Sequence, residues 1–149
     1  MTILTLEPGR LAVAADASGA GAASSWLAQT CADRGVPADQ VYRLDTCLTE
    51  ALANVISHGG EEALAAPVVV NLFLGEAGNE FRAVLEIADR GRPFDPLAQQ
   101  AAPRAATLEE ATPGGLGLSM IRSFSDSQDY AWRDGQNRLT LGFYWPLFG

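Results

Sequence analysis

Two runs of β-branched and aromatic residues limit what this chain can fold into. Residues 68–74 read VVVNLFL, and residues 81–88 alternate with Phe81, Ala83, Leu85 and Ile87 on one face. Only residues 75–80 separate them, with Gly75 to Asn79 as a turn. A gap that short joins antiparallel neighbours, because a parallel partner needs a crossover of about a dozen residues or more. The pattern returns near the C-terminus, where residues 128–133 and 138–145 flank Asp134-Gly135-Gln136-Asn137. Asp-Gly at such a junction marks a tight hairpin turn.

Helical spacing fills the first half of the chain. Asp16-Ala17-Ser18-Gly19 forms a turn or N-cap cluster, and an Ala-rich stretch through Trp26, Leu27 and Cys31 follows. It stops near Gly35 and Pro37, both helix breakers. A second helix is predicted from about Asp39, with Val41, Leu44, Leu48, Leu52 and Val55 on its buried face and Gly59-Gly60 as its end. Residues 2–6 alternate like a short edge strand, and residues 116–124 form a last helix. Hairpins without strict βαβ alternation predict an α+β fold: a two-layer α/β sandwich whose mixed, mostly antiparallel sheet carries helices on one face. A length of 149 residues suits one such domain over 1–149.

Charge and cysteine content exclude several classes. The net charge is −8 and no basic stripe is present, so neither nucleic acid nor an anionic membrane surface is an expected partner. The start, MTILTLEPGR, lacks a basic segment followed by an apolar one, and a cytoplasmic protein without a secretion signal is expected. Cys31 and Cys47 fall within helical patterns, and with one His and no CxxC they make no zinc set. Reduced thiols are the expectation.

Three short segments carry chemistry. Glu50 and Asn54 lie four apart and share a helix face, which His58 extends. A carboxylate beside an amide oxygen suits a hydroxyl and a hard cation such as Mg²⁺. A solvated helix face has the same pattern. Asp89-Arg90-Gly91-Arg92-Pro93-Phe94 follows a strand. There an aspartate can accept from the amino group of a base and glycine lets a flat ring come close, though an ordinary turn has the same composition. Gly114-Gly115-Leu116-Gly117-Leu118 opens the last helix, where exposed N–H groups and the helix dipole make an anion site. Between the last two segments, residues 90–113 are rich in Pro, Ala and Gly with little periodicity, the mark of a functional loop. Together these are the parts that hold a magnesium nucleotide under a lid.

The order Glu50…Asn54, Asp89-x-Gly91-x-Pro93-Phe94 and Gly115-Leu116-Gly117-Leu118 resembles the N, G1 and G2 boxes of the GHKL ATP-binding fold shared by histidine kinases, MutL and gyrase B. The likeness is strongest to the single-domain anti-sigma factor serine/threonine kinases of the RsbW and SpoIIAB type. Residues 130–141 resemble their closing hairpin. The resemblance implies ATP and Mg²⁺ as cofactors, Glu50 as the base that takes the seryl proton, and Asn54 as the Mg²⁺ ligand. It implies Asp89 on the adenine amino group, with Gly91 making room for the ring beside Pro93 and Phe94. Gly114, Gly115, Leu116, Gly117 and Leu118 would hold the phosphates through backbone amides, and His58 would pack around the site. The lid would span about 92–114. Its basic residue between 97 and 113 is Arg104, so Arg104, Arg122 or a partner's residue would face the γ-phosphate. The implied partners are a sigma factor, an anti-anti-sigma STAS protein as phosphorylation substrate, and a second copy in a homodimer. The alternative is a non-catalytic nucleotide-binding module that works by partner exchange alone. An ATPase of the MutL kind would need further domains.

Overall fold

Alternation dictates the sheet. The computed structural model describes residues 7–98 and 115–147, with side chains for residues 9–98 and 120–147. Elements run β1 (Glu7–Val13), α1 (Ala17–Asp33), α2 (Ala38–His58), α3 (Gly60–Leu64), β2 (Val68–Ala77), β3 (Glu80–Asp89), α4 (Gly115–Phe124), β4 (Ser127–Arg133) and β5 (Gln136–Pro146). The five strands form one sheet in the order β1-β2-β3-β5-β4, and every pairing among them is antiparallel.

Both hairpins form, with tighter turns than the sequence suggested. The first turns at Gly78-Asn79, where Gly78 has φ of 62°, so β2 extends through Ala77. The second turns at Asp134-Gly135 alone, with φ of 53° and 72°. Positive φ at both central residues matches the strand twist and is the reason Asp-Gly is favoured there. Gln136 and Asn137 therefore belong to β5 and not to the turn, and Asn137 lies opposite Asp89 in register. The segment at residues 2–6 lies outside the described residues. The first described strand is β1, whose Pro8 and Gly9 disguise it. A Cβ at Gly9 would come within 3.2 Å of the Trp26 ring, so the glycine lets α1 lie close over this edge strand.

One face of the sheet is covered and the other is open. Val68, Val70, Leu72 and Leu74 of β2, with Ala83, Leu85 and Ile87 of β3 and Leu139, Leu141 and Phe143 of β5, are buried. They join one core cluster with Ala23, Leu27 and Cys31 of α1, Leu44, Leu48 and Leu52 of α2 and Ile121 of α4. Residues between them on the strands, such as Phe73, Val84 and Glu86, are only half-buried. Asp16 caps α1 by accepting from the Gly19 N–H at 2.7 Å. Burial pushes the Cys31 thiol up to about 11 and the Cys47 thiol up to about 12, so neither is a nucleophile near neutral pH. Among the described residues no helix is long and apolar enough to cross a membrane.

α4 runs antiparallel to α2. Arg43 Nε donates to the Phe124 carbonyl at 2.9 Å, and one turn on, Cys47 Sγ lies 3.9 Å from the Ile121 carbonyl. At 1.5 Å per residue, the same course brings the first turn of α4 level with Glu50 and Asn54.

Candidate nucleotide site

A cleft of about 390 Å³ opens where α2, the end of β3 and the start of β5 meet. Ala51, Asn54, Val55 and Gly59 of α2 and its cap form one wall, and Ile87 and Asp89 of β3 form the floor. Arg92, Phe94 and Pro96 of the following loop, with Tyr130, Asn137 and Leu139, close the other side.

Asp89 is buried at 6% exposure, yet half of its carboxylate is uncommitted. Oδ1 accepts from the Gly91 N–H at 2.9 Å and from Asn137 Nδ2 at 3.0 Å. Oδ2 has no partner among the described residues. Burial holds this carboxyl above its ordinary range, and the two donors pull in the opposite direction.

Asn137, which the sequence reading placed in a turn, is the centre of the bonding here. Its Nδ2 also donates to the Arg92 carbonyl at 2.8 Å and lies 3.4 Å from the Gly91 carbonyl. Its Oδ1 accepts from the Phe94 N–H at 2.9 Å and from the Tyr130 hydroxyl. Burial also raises the Tyr130 hydroxyl, with Asp95 and Asp89 adding to the effect. The signal that finds Asn137 from sequence is its distance from the two-residue Asp-Gly turn, which puts it in the strand paired to Asp89.

Backbone packing by itself demands a glycine at position 91. A Cβ there would come within 2.7 Å of the Gly59 Cα and 2.9 Å of Asp89 Oδ1. Glycine is required because the end of α2 and this turn touch backbone to backbone, with the Arg92 N–H donating to the Gly59 carbonyl at 3.0 Å. Gly60 follows with φ of 65° and lets the chain leave α2 for α3. Phe94 stacks on His58 at 4.0 Å between centroids, so His58 packs against the rim as expected. Pro93 is exposed and does not line the cleft.

Asn54 is buried on the core side of α2, and its Nδ2 has no hydrogen-bond partner among the described residues. A buried unpaired donor costs about 1–3 kcal/mol. A ligand with acceptor oxygens would remove that cost, and the oxygen of the same carboxamide is a ligand type that Mg²⁺ prefers. Among the described residues no three His, Cys, Asp or Glu side chains gather to hold a metal. A cation that arrives with phosphate oxygens and water needs few protein ligands, so the donor set fits a magnesium nucleotide.

Glu50 is half-buried one turn before Asn54. It does not line the cleft and makes no hydrogen bond or ion pair among the described residues. Gly115, Leu116, Gly117 and Leu118 form the first turn of α4, whose backbone N–H groups lack helical partners. Gly114 and Arg104 lie outside the described residues, as does most of the loop assigned to a lid. Arg122 donates to the Leu97 carbonyl and so ties α4 to the start of that loop.

A family model described as the histidine kinase-like ATPase domain matches residues 13–143, most of the chain. This chain belongs to that family. Within it, the chain is 38% identical over 100 residues to the serine/threonine-protein kinase BtrW of Bordetella bronchiseptica, covering 67% of this chain and 68% of that protein. Two solved structures share the fold of this chain. The RsbU and RsbW domains of Rv1364c from Mycobacterium tuberculosis superpose with a TM-score of 0.67 at 17% identity. That match covers 94% of this chain and 33% of the other, so this chain spans about a third of its length. The SiaB–SiaC complex from Pseudomonas aeruginosa gives a TM-score of 0.55 at 14% identity, over 96% of this chain and 91% of the other. At such identities the two structures establish the fold, and it is the α+β sandwich that the hairpins imply.

Proposed function

We propose that residues 1–149 act as one ATP-dependent serine/threonine protein kinase domain and as an anti-sigma factor in a partner switch. The observation that carries this reading is that Asp89, with one bare carboxylate oxygen, and Asn54, with an unpaired buried amide, share one cleft. In this reading Asp89 Oδ2 accepts from the adenine amino group. Asn54 supplies a side-chain oxygen to Mg²⁺, and the first turn of α4 offers N–H groups to the phosphates. Bound Mg²⁺ supplies charge neutralisation for the triphosphate.

Transfer then needs only a positioned acceptor and a base. The seryl oxygen forms a bond to the γ-phosphorus, the bond to the bridging oxygen breaks, and ADP leaves with that electron pair. Glu50 takes the hydroxyl proton, which its lack of a described partner leaves it free to do. The phosphorylated protein would be a STAS-type antagonist, and the sequestered one a sigma factor. A net charge of −8 suits a basic surface on the latter. A homodimer in the cytoplasm completes the proposal. A second reading, the non-catalytic binding module, draws on Arg122, which is engaged with the Leu97 carbonyl and not held ready for a phosphate.

Incubation with γ-labelled ATP, Mg²⁺ and small proteins co-purified from the source cell tests both. The kinase reading expects label on a small partner, reduced on the order of 10²-fold or more in Glu50→Ala. Bound nucleotide without transfer supports the module, and free phosphate without any partner supports an ATPase.

A further inference from the structure

We infer that Asn137 is a positioning residue for base selection: its carboxamide holds Asp89 so that the carboxylate presents one bare acceptor to the cleft. The inference rests on the nucleotide reading above and goes beyond it, to the residue that makes Asp89 selective.

Asn137 can sit only one way round. Phe94 N–H and the Tyr130 hydroxyl both point at its Oδ1. On its other side stand three oxygens, Asp89 Oδ1 at 3.0 Å, the Gly91 carbonyl at 3.4 Å and the Arg92 carbonyl at 2.8 Å. Rotating the amide by half a turn would set oxygen against all three and donors against donors. The residue is 6% exposed, so water does not compensate such a swap.

That fixed orientation determines what Asp89 can recognise. Oδ1 is saturated by the Gly91 N–H and by Asn137. Oδ2 therefore faces a ligand as an acceptor only. A purine with an exocyclic amino group donates to it, whereas a 6-oxo purine brings a second acceptor against it. Sites that hydrogen-bond a substrate group reject the analogue lacking it, because a buried group is left unpaired. Without Asn137, the Gly91 N–H alone holds Oδ1. The carboxyl is then free to turn or to carry a proton, and a protonated carboxyl accommodates the 6-oxo base as well. Tyr130 acts one step further out, through Asn137 Oδ1.

Titration calorimetry with magnesium ATP and magnesium ITP on the whole chain tests this, with melting temperatures as the control for folding. The wild-type chain should prefer ATP by about tenfold or more. Asn137→Ala should weaken ATP binding by roughly tenfold and bring the ATP-to-ITP ratio close to one, because the loss falls on the amino group. Tyr130→Phe removes one of two donors to Oδ1, and should lower the ratio about two- to threefold while the fold is kept. A purely structural Asn137 would weaken both nucleotides in parallel, so an unchanged ratio in the variants overturns the inference. If Asn137→Ala does not fold, Tyr130→Phe decides alone. A wild-type chain that binds ATP poorly, or no better than ITP, overturns the nucleotide reading and this inference together, whereas a wild-type preference kept by the variants overturns the Asn137 role alone.

Discussion

At the scale of single residues, Asp89 couples fold and ligand in opposite senses. Burial raises its carboxyl above the ordinary value of 3.8, so the folded chain holds this proton at higher pH than the unfolded chain does. Its contribution to stability is fully present below 3.8 and is lost as pH rises through the folded value. Nucleotide binding runs the other way, since an amino group donates to the ionised oxygen. Affinity for ATP should therefore fall as pH is lowered toward the acidic range, beginning above 3.8. In Asp89→Asn that pH dependence should vanish and affinity should drop about tenfold or more, since hydrogen bonds to charged groups are the stronger kind. Calorimetry at a series of pH values below 7 reads both. Asp89 was legible in the sequence because an acid at a strand end before glycine is a local pattern. Asn137 was hidden because its meaning is non-local: register across two hairpins sets it against Asp89, and one misjudged turn length moves it out of the sheet.

Among the elements, the contact between α2 and α4 has the most leverage on the proposed site. Arg43 caps the end of α4 through the Phe124 carbonyl at 2.9 Å and meets Asp126 at 3.0 Å, with Gln40 Oε1 at 2.7 Å steadying the guanidinium. Its side chain is 24% exposed, so this ion pair is only partly screened. Arg43→Ala should cost about 1–2 kcal/mol in urea unfolding, and it should weaken ATP binding by letting the first turn of α4 drift from Asn54. Unchanged affinity with lowered stability would separate α4 from the phosphates. Hairpins and long helices were legible here because periods of 2 and 3.6 are written locally. β1 was not: Pro8 and Gly9 depress strand propensity, and the packing of Trp26 over Gly9, which favours glycine there, becomes visible only once α1 is docked. Five-residue α3 has too few residues to show a period.

For the whole molecule, the proposed ligand bridges parts of the chain that are far apart in sequence. Asn54 lies on α2, Asp89 ends β3 and Asn137 begins β5, so a nucleotide in the cleft ties the helix layer to two adjacent interior strands of the sheet. A ligand that contacts only the folded arrangement stabilises all of it at once. At a hundred times its dissociation constant it contributes about 2.7 kcal/mol. For a domain of this size that raises the melting temperature by roughly 5–11 °C, taking about 2–4 °C per kcal/mol. Magnesium ATP should produce that shift in a thermal melt, and its size should grow with the logarithm of concentration. Asp89→Asn, compared at the same nucleotide concentration, should lose much of it, since weaker binding lowers the saturation reached. A melting temperature indifferent to ATP at every concentration would mean that no nucleotide joins these elements, and the bare oxygen of Asp89 would then be a cost of burial without a ligand to offset it.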